Sequence, residues 1–318
     1  MEVLQIATYV LFAAFFVGFT AKMLKYAKMP IHLRWELYPL AGETKRPWGG
    51  SYLEDLDWEK KPPEKKSFIG EMKFMGKEII FFKEYFHRNR GLWYIVFPFH
   101  VGIFLYITFF ALLFIGALTL IAGISVAAES SNAWGLLIFY VTLVVGVAAL
   151  LFGAIACLAL FVRKIVDPGM STYTRRIEYF NIFFVLAMFV TGLVAWGIAD
   201  PGFETARAYM KSLITFSSVG SMDAIIVVHI ILLALLLAYL PFTNVMHFFA
   251  KHFTFTKVRW DDAPNLRGSA LERKLAPLLA MRITWAAPHM QTLNKWSDIA
   301  NEGIGESPSK HTTQKGGS

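Results

Sequence analysis

Three histidines lie inside long apolar runs of this sequence: His100, His229 and His247. An ionisable ring within a bilayer is costly enough to signal function, and neutral imidazole is a common ligand of iron. His229 and His247 stand eighteen residues apart in MDAIIVVHIILLALLLAYLPFTNVMHFFAKH, residues 222–252. On one continuous helix that spacing is five whole turns, which sets both rings on one face about 27 Å apart. Two rings on one stripe at two depths are what a helix shared by two haem groups needs. Taken singly, each could instead be an interfacial residue or a hydrogen-bond partner between helices. A third histidine on another span, His100, tips the balance toward iron.

The elements that hold these rings must be membrane helices. The 318-residue chain is 56% hydrophobic, 16% aromatic and 17% charged, with mean hydropathy +0.48, which is the composition of an integral membrane protein. Its single cysteine, Cys157, excludes an internal disulfide, a cysteine-rich zinc site and a self-contained iron–sulfur cluster. Any cluster must come from a partner subunit. The formal charge of +8 resides in particular loops, where membrane topology places Lys and Arg, and does not indicate nucleic acid.

Apolar runs at residues 3–23, 92–121, 134–162, 179–199 and 224–250 predict an all-α integral membrane fold, a bundle of five transmembrane helices. The first run has Lys22, Lys25 and Lys28 at its end and only Glu2 before it. That order is the reverse of a signal peptide's, so the expectation is a retained helix. The organisation expected is a membrane domain over residues 1–250, including a cytoplasmic loop at 28–90, and a cytoplasmic tail over 251–318.

Connection charges set an orientation. The connection 25–90 is strongly basic, 122–133 has no Lys or Arg, and 163–176 holds Arg163, Lys164, Arg175 and Arg176. The connection 200–223 offsets Arg207 and Lys211 with Asp200, Glu204 and Asp223, and Lys251, Lys257 and Arg259 follow the last span. The alternation places the amino terminus outside and the carboxyl terminus in the cytoplasm. His100 and His247 then share the inner leaflet on different helices, the geometry for clamping one haem b iron from both sides. His229 lies in the outer leaflet, and the residue at the depth of a partner for it is Phe110.

These residues resemble the gamma subunit of respiratory nitrate reductase, a five-helix cytochrome b with two histidines ten apart on its second helix and two eighteen apart on its fifth. His100 matches the first of helix two, and His229 and His247 match the pair of helix five. Phe110 falls where the other histidine stands. The resemblance spans about residues 1–250. The motifs MPIHLRWELYP (residues 29–39) and KVRWDDAPN (residues 257–265) look like the branch that serves iron–sulfur proteins related to heterodisulfide reductase in sulfate reducers and similar anaerobes. The resemblance implies a multi-pass subunit of the cell's inner membrane with one or two haem b groups. Such a subunit exchanges electrons between menaquinone and a cytoplasmic iron–sulfur subunit, with room for further membrane or periplasmic cytochrome subunits. Phenylalanine cannot ligate iron, so either the outer haem is absent, or His229 holds it alone, or a residue such as Met188 supplies the sixth bond. Without a haem, His229 could face a quinone headgroup as its proton acceptor.

Haem propionates need cations near the surface, for which Arg88 and Arg90 are the expected pair among Arg88, Arg90, Arg163, Arg175 and Arg176. Residues 67–86 show a stripe of Phe68, Met72, Met75, Ile79, Phe82 and Phe86 that predicts an amphipathic helix, with a second at 270–285. Residues 39–63 read as an irregular loop and 303–318 as a disordered end. His87 and His252 read as interfacial, His32 as a residue of the cytoplasmic motif, His289 and His311 as tail residues, and Cys157 as an inert buried thiol. Two readings outside electron transfer are a transporter using its intramembrane histidines and a non-redox anchor.

Overall fold

The computed structural model describes residues 2–28, 68–247, 249–250, 267–284 and 293–300. The motifs at 29–39 and 257–265, the loop 39–63, the end 303–318 and His32, His252, His289 and His311 lie outside the described residues. Contacts divide the chain into two units: Met1–Met23 with Gly76–Phe248, and Leu24–Met75 with Phe249–Ser318.

Among the described residues, five helices are long and apolar enough to cross a membrane. They are α1 (Val3–Lys28), α4 (Arg90–Ile121), α5 (Ala133–Val166), α7 (Arg176–Ile198) and α9 (Ala224–Tyr239), the last extended by one 3-10 turn to Phe242. Between them lie α2 (Phe68–Phe81), α3 (Lys83–Arg88), α6 (Pro168–Tyr173) and α8 (Glu204–Thr215). Helix starts follow from local chemistry. Asn132 accepts hydrogen bonds from the amides of Trp134 and Gly135 at the start of α5, and Asp167 does so for Gly169 and Met170 at α6, with Pro168 in the first turn. In the second unit, Ser269 caps α10 (Ala270–Leu279), which stops six residues before the expected end, and α11 (Trp296–Ala300) follows.

Glycines bring the spans together. A Cβ on Gly102 of α4 would stand 2.6 Å from the backbone nitrogen of Gly153 on α5, and one on Gly153 would enter the ring of Phe189 on α7. Gly146 leaves the same kind of room for Phe109 and Phe203. Small residues at helix crossings are how apolar spans associate where solvent supplies no driving force. The interior is a cluster of Tyr106, Phe109, Leu113, Leu150, Met188, Phe189, Phe203 and neighbours. Ile107, Phe114, Val144, Phe152, Ile155 and Phe183 face outward, as lipid-facing side chains do.

Two expected helices are broken. The stripe over 67–86 is not one helix: α2 ends at Phe81, Phe82 takes a left-handed backbone with φ 51°, and α3 begins at Lys83. The fifth span is not continuous to residue 250 either. Regular helix stops at Tyr239 and is followed by two single 3-10 turns, Leu240–Phe242 and Asn244–Met246. The cause is Pro241, which has no amide to donate and whose ring collides with the carbonyl four residues back. The five-turn ladder from His229 to His247 therefore does not exist.

The connection 200–223 contains α8, which the sequence reading left unassigned. Asp200 accepts from the amides of Glu204 (2.7 Å), Thr205 (3.1 Å) and Ala206 (2.9 Å) at its start. On the same helix Arg207 is 1% exposed and donates to the carbonyls of Val126 and Gly202. Burial lowers its pKa, and the carboxylates of Asp200 and Glu204 oppose that shift. The first turns of α1 are tied to α8 through polar groups: Gln5 donates to Ser212 and to the carbonyl of Ser217, and Thr8 bonds the Tyr209 hydroxyl at 2.7 Å.

Candidate functional site

His100 sits nearly three turns into α4, two residues after Pro98 within the helix, and His247 follows the second 3-10 turn. Despite the broken fifth span, the two rings meet. Their centroids are 6.3 Å apart and their planes cross at 78°. Each ring is anchored through Nδ1 on a backbone carbonyl, His100 on Val96 at 2.8 Å and His247 on Asn244 at 3.1 Å. A carbonyl can only accept, so each Nδ1 carries the proton and Nε2 is left as the atom to bind a metal. That outer hydrogen bond is the usual partner of a ligating histidine. With metal–nitrogen bonds of about 2 Å and about 1.1 Å from nitrogen to ring centre, two rings on opposite sides of one iron have centroids about 6.3 Å apart. Among the described residues no group of three or more His, Cys, Asp or Glu could hold a bare metal ion. The pair fits an iron whose remaining ligands come from elsewhere, as a porphyrin provides.

Two features around this pair were not foreseen. Phe82, one of four described non-glycine residues with positive φ, lies against His100 with ring centroids 4.3 Å apart. Such a backbone is strained for a bulky residue, and strain of this kind gathers at functional sites. Periodicity carries no trace of it. The second lies nine residues before His100 along α4, where Arg163 from the end of α5 comes near Gly91; Arg163 is half-buried and pairs with Asp167 at 3.4 Å, and its Nε is buried with no hydrogen-bond partner among the described residues. A buried donor of this kind fits an anionic group of a bound cofactor. Arg88 and Arg90, the expected pair, are exposed, and the Arg90 guanidinium lies 4.7 Å over the Phe86 ring.

His229 lies apart from the pair. Its Nε2 is 3.1 Å from the Tyr106 hydroxyl and its Nδ1 3.2 Å from Oγ1 of Thr191. Gly192 makes room for it, since a Cβ there would stand 2.9 Å from Cε1 of the ring. The residue facing His229 is thus Tyr106, one turn before Phe110. A tyrosine in an apolar span, which must find a partner for its hydroxyl, was the overlooked signal. Met188 is buried in the apolar cluster. Cys157 is fully buried and its thiol donates to the carbonyl of Ile182.

Among the described residues, five apolar spans carry a facing histidine pair, His100 on the second and His247 just beyond the fifth, that could hold a metal from two sides. Residues 84–261 match the nitrate reductase gamma subunit family, and the chain belongs to that family. Its members are membrane haem b subunits of respiratory oxidoreductases and work within complexes of several subunits. No curated protein matches the chain.

Proposed function

We propose that the chain is the electron-transfer subunit of an anaerobic respiratory oxidoreductase complex. It lies in the cell's inner membrane, amino terminus outside and carboxyl terminus cytoplasmic. It links the menaquinone pool to a cytoplasmic iron–sulfur subunit of the heterodisulfide reductase type. The observation that carries this reading is the His100–His247 pair, 6.3 Å between centroids with both Nδ1 atoms held by carbonyls. Haem b held there supplies one-electron chemistry through its iron. The protein's own part is to fix both rings, to present Arg163 to a carboxylate, and to exclude water with Phe82 and the surrounding aromatic side chains. The charge order of the connections supports the orientation, and the motifs at 29–39 and 257–265 support the partner.

The test is anaerobic titration of the purified chain with a short-chain menaquinol while recording the visible spectrum. Appearance of the reduced haem b bands is expected. A folded chain with no reducible haem would leave only the transporter or anchor readings.

Phe82 gives a finer check. Phe82→Ala admits water beside His100, and a wetter site favours the more highly charged ferric state. Haem content should stay at the wild-type level while the midpoint potential falls in a potentiometric titration. An unchanged potential would mean that Phe82 only fills space.

A further inference from the structure

The last regular residue of α9 is firmly held. The Tyr239 hydroxyl donates to Oδ1 of Asn181 on α7 at 2.9 Å, and its ring lies against Phe180 and Phe184 of the same helix, with centroids 6.0 Å and 6.1 Å away. Two residues on, Pro241 is fully buried, and a Cβ on Gly18 of α1 would stand 3.2 Å from its Cβ. The break in the fifth span is therefore seated on two other spans. Met246, 1% exposed, seats its far end.

Between these supports the chain passes through Thr243, whose one hydroxyl serves both single turns. It donates to the carbonyl of Leu240 at 2.8 Å, closing the first turn, and accepts from the amide of Val245 at 3.1 Å, opening the second. The second turn runs directly into His247. The carbonyl of Asn244 receives both the backbone amide of His247 and its Nδ1, so the ring hangs on the turn that Thr243 caps. The opposite ring is tied in another way. His100 reaches the carbonyl four residues back in an α-helix, at Val96, whereas His247 reaches the one three residues back in a 3-10 turn. Successive residues rotate by about 100° in the first and about 120° in the second. The two imidazoles are not presented alike, and their planes cross at 78°.

We propose that Thr243 is a positioning residue for the iron site: its hydroxyl fixes the second turn and, through the Asn244 carbonyl, sets the rotation of the His247 ring against that of His100. The inference rests on the reading of this pair as the axial ligands of haem b. Groups that touch no metal but orient those that do are a regular part of such sites. In an unbroken helix the hydrogen-bond ladder fixes the direction of every side chain; here two single turns replace the ladder, and the Thr243 hydroxyl joins them. A valine of the same shape fills the same space but leaves the Val245 amide without its acceptor. The crossed arrangement of the rings is then no longer imposed.

The test uses the full haem-loaded chain in detergent and the ferric EPR spectrum, whose largest g value is highest when the axial rings are near perpendicular and falls as they approach parallel. Thr243→Val should keep the wild-type haem content while the largest g value drops toward that of parallel rings. Thr243→Ser, which keeps the hydroxyl, should keep the wild-type spectrum. An unchanged g value in Thr243→Val would overturn the positioning role. The same shift in both variants would also overturn it, tracing the effect to packing of the methyl group. Loss of haem from Thr243→Val with full haem in Thr243→Ser would support it, since the hydroxyl would then decide whether the ring meets the iron; loss from both would count against it. A wild-type chain without haem would sink the axial-ligand reading and this inference together, whereas a loaded chain whose spectrum ignores Thr243→Val would sink the inference alone.

Discussion

His100→Ala strips haem b from the chain: the pyridine haemochrome signal of the purified variant falls to background. One of the two nitrogens that would hold the iron is lost outright, and the other, on His247, follows a single 3-10 turn and is anchored through a 3.1 Å bond to the carbonyl of Asn244. The wild-type spectrum should carry a matching signature. With the ring planes crossed at 78°, the two iron orbitals that overlap with the imidazoles are nearly equal in energy. The ferric protein should therefore give a strongly anisotropic low-spin EPR signal with one large g value rather than the compact set of parallel rings. A half-height haemochrome would place a second haem on other residues. An unchanged one would remove His100 from the ligand set.

Gly153→Leu should damage the bundle more than any other single change outside the histidines. A Cβ there would run into Cε1 of the Phe189 ring, and that ring is fully buried and has no open space into which to step aside. Overpacking of a close-packed site costs about 3 kcal/mol at its usual upper end. For a domain of this size that lowers the melting temperature by roughly 6–12 °C. Gly197→Leu on α7 is the control, because a Cβ at Gly197 meets nothing within 4 Å. Thermal melts of the two variants in the same detergent decide the matter. Equal losses would mean that the added bulk itself, and not the close approach of α5 to α7, sets the effect.

The five spans and the meeting of His100 with His247 were legible because both follow from coarse properties. Hydropathy gives the spans, and alternation of direction gives each histidine its depth. The reasoning that failed treated periodicity as if nothing interrupted it. Pro241 stands in plain view between His229 and His247, yet an apolar run that long hides one residue whose effect is local and decisive. Phe82 could not have been found this way, since a left-handed backbone at a phenylalanine is imposed by tertiary packing and leaves no pattern. Tyr106 was passed over because it sits in an apolar stretch, where its ring counts as hydrophobic and its hydroxyl goes unnoticed. Arg163 stands in the sequence as one of several boundary arginines, and what separates it from the exposed Arg88 and Arg90 is the burial of its Nε, which sequence does not report. Short helix α8 escaped for a related reason: its cap, Asp200, and its buried cation, Arg207, look in sequence like ordinary loop charge.

The two single turns between Tyr239 and His247 also divide the contacts that hold the spans from those that hold the ring pair. The ring on α4 belongs to a span packed on its neighbours through glycine contacts, whereas the opposite ring lies beyond the regular part of α9, past two turns that do not continue its helical ladder. A substitution within those turns should therefore shift His247 against His100 and leave the packing of the spans as it is.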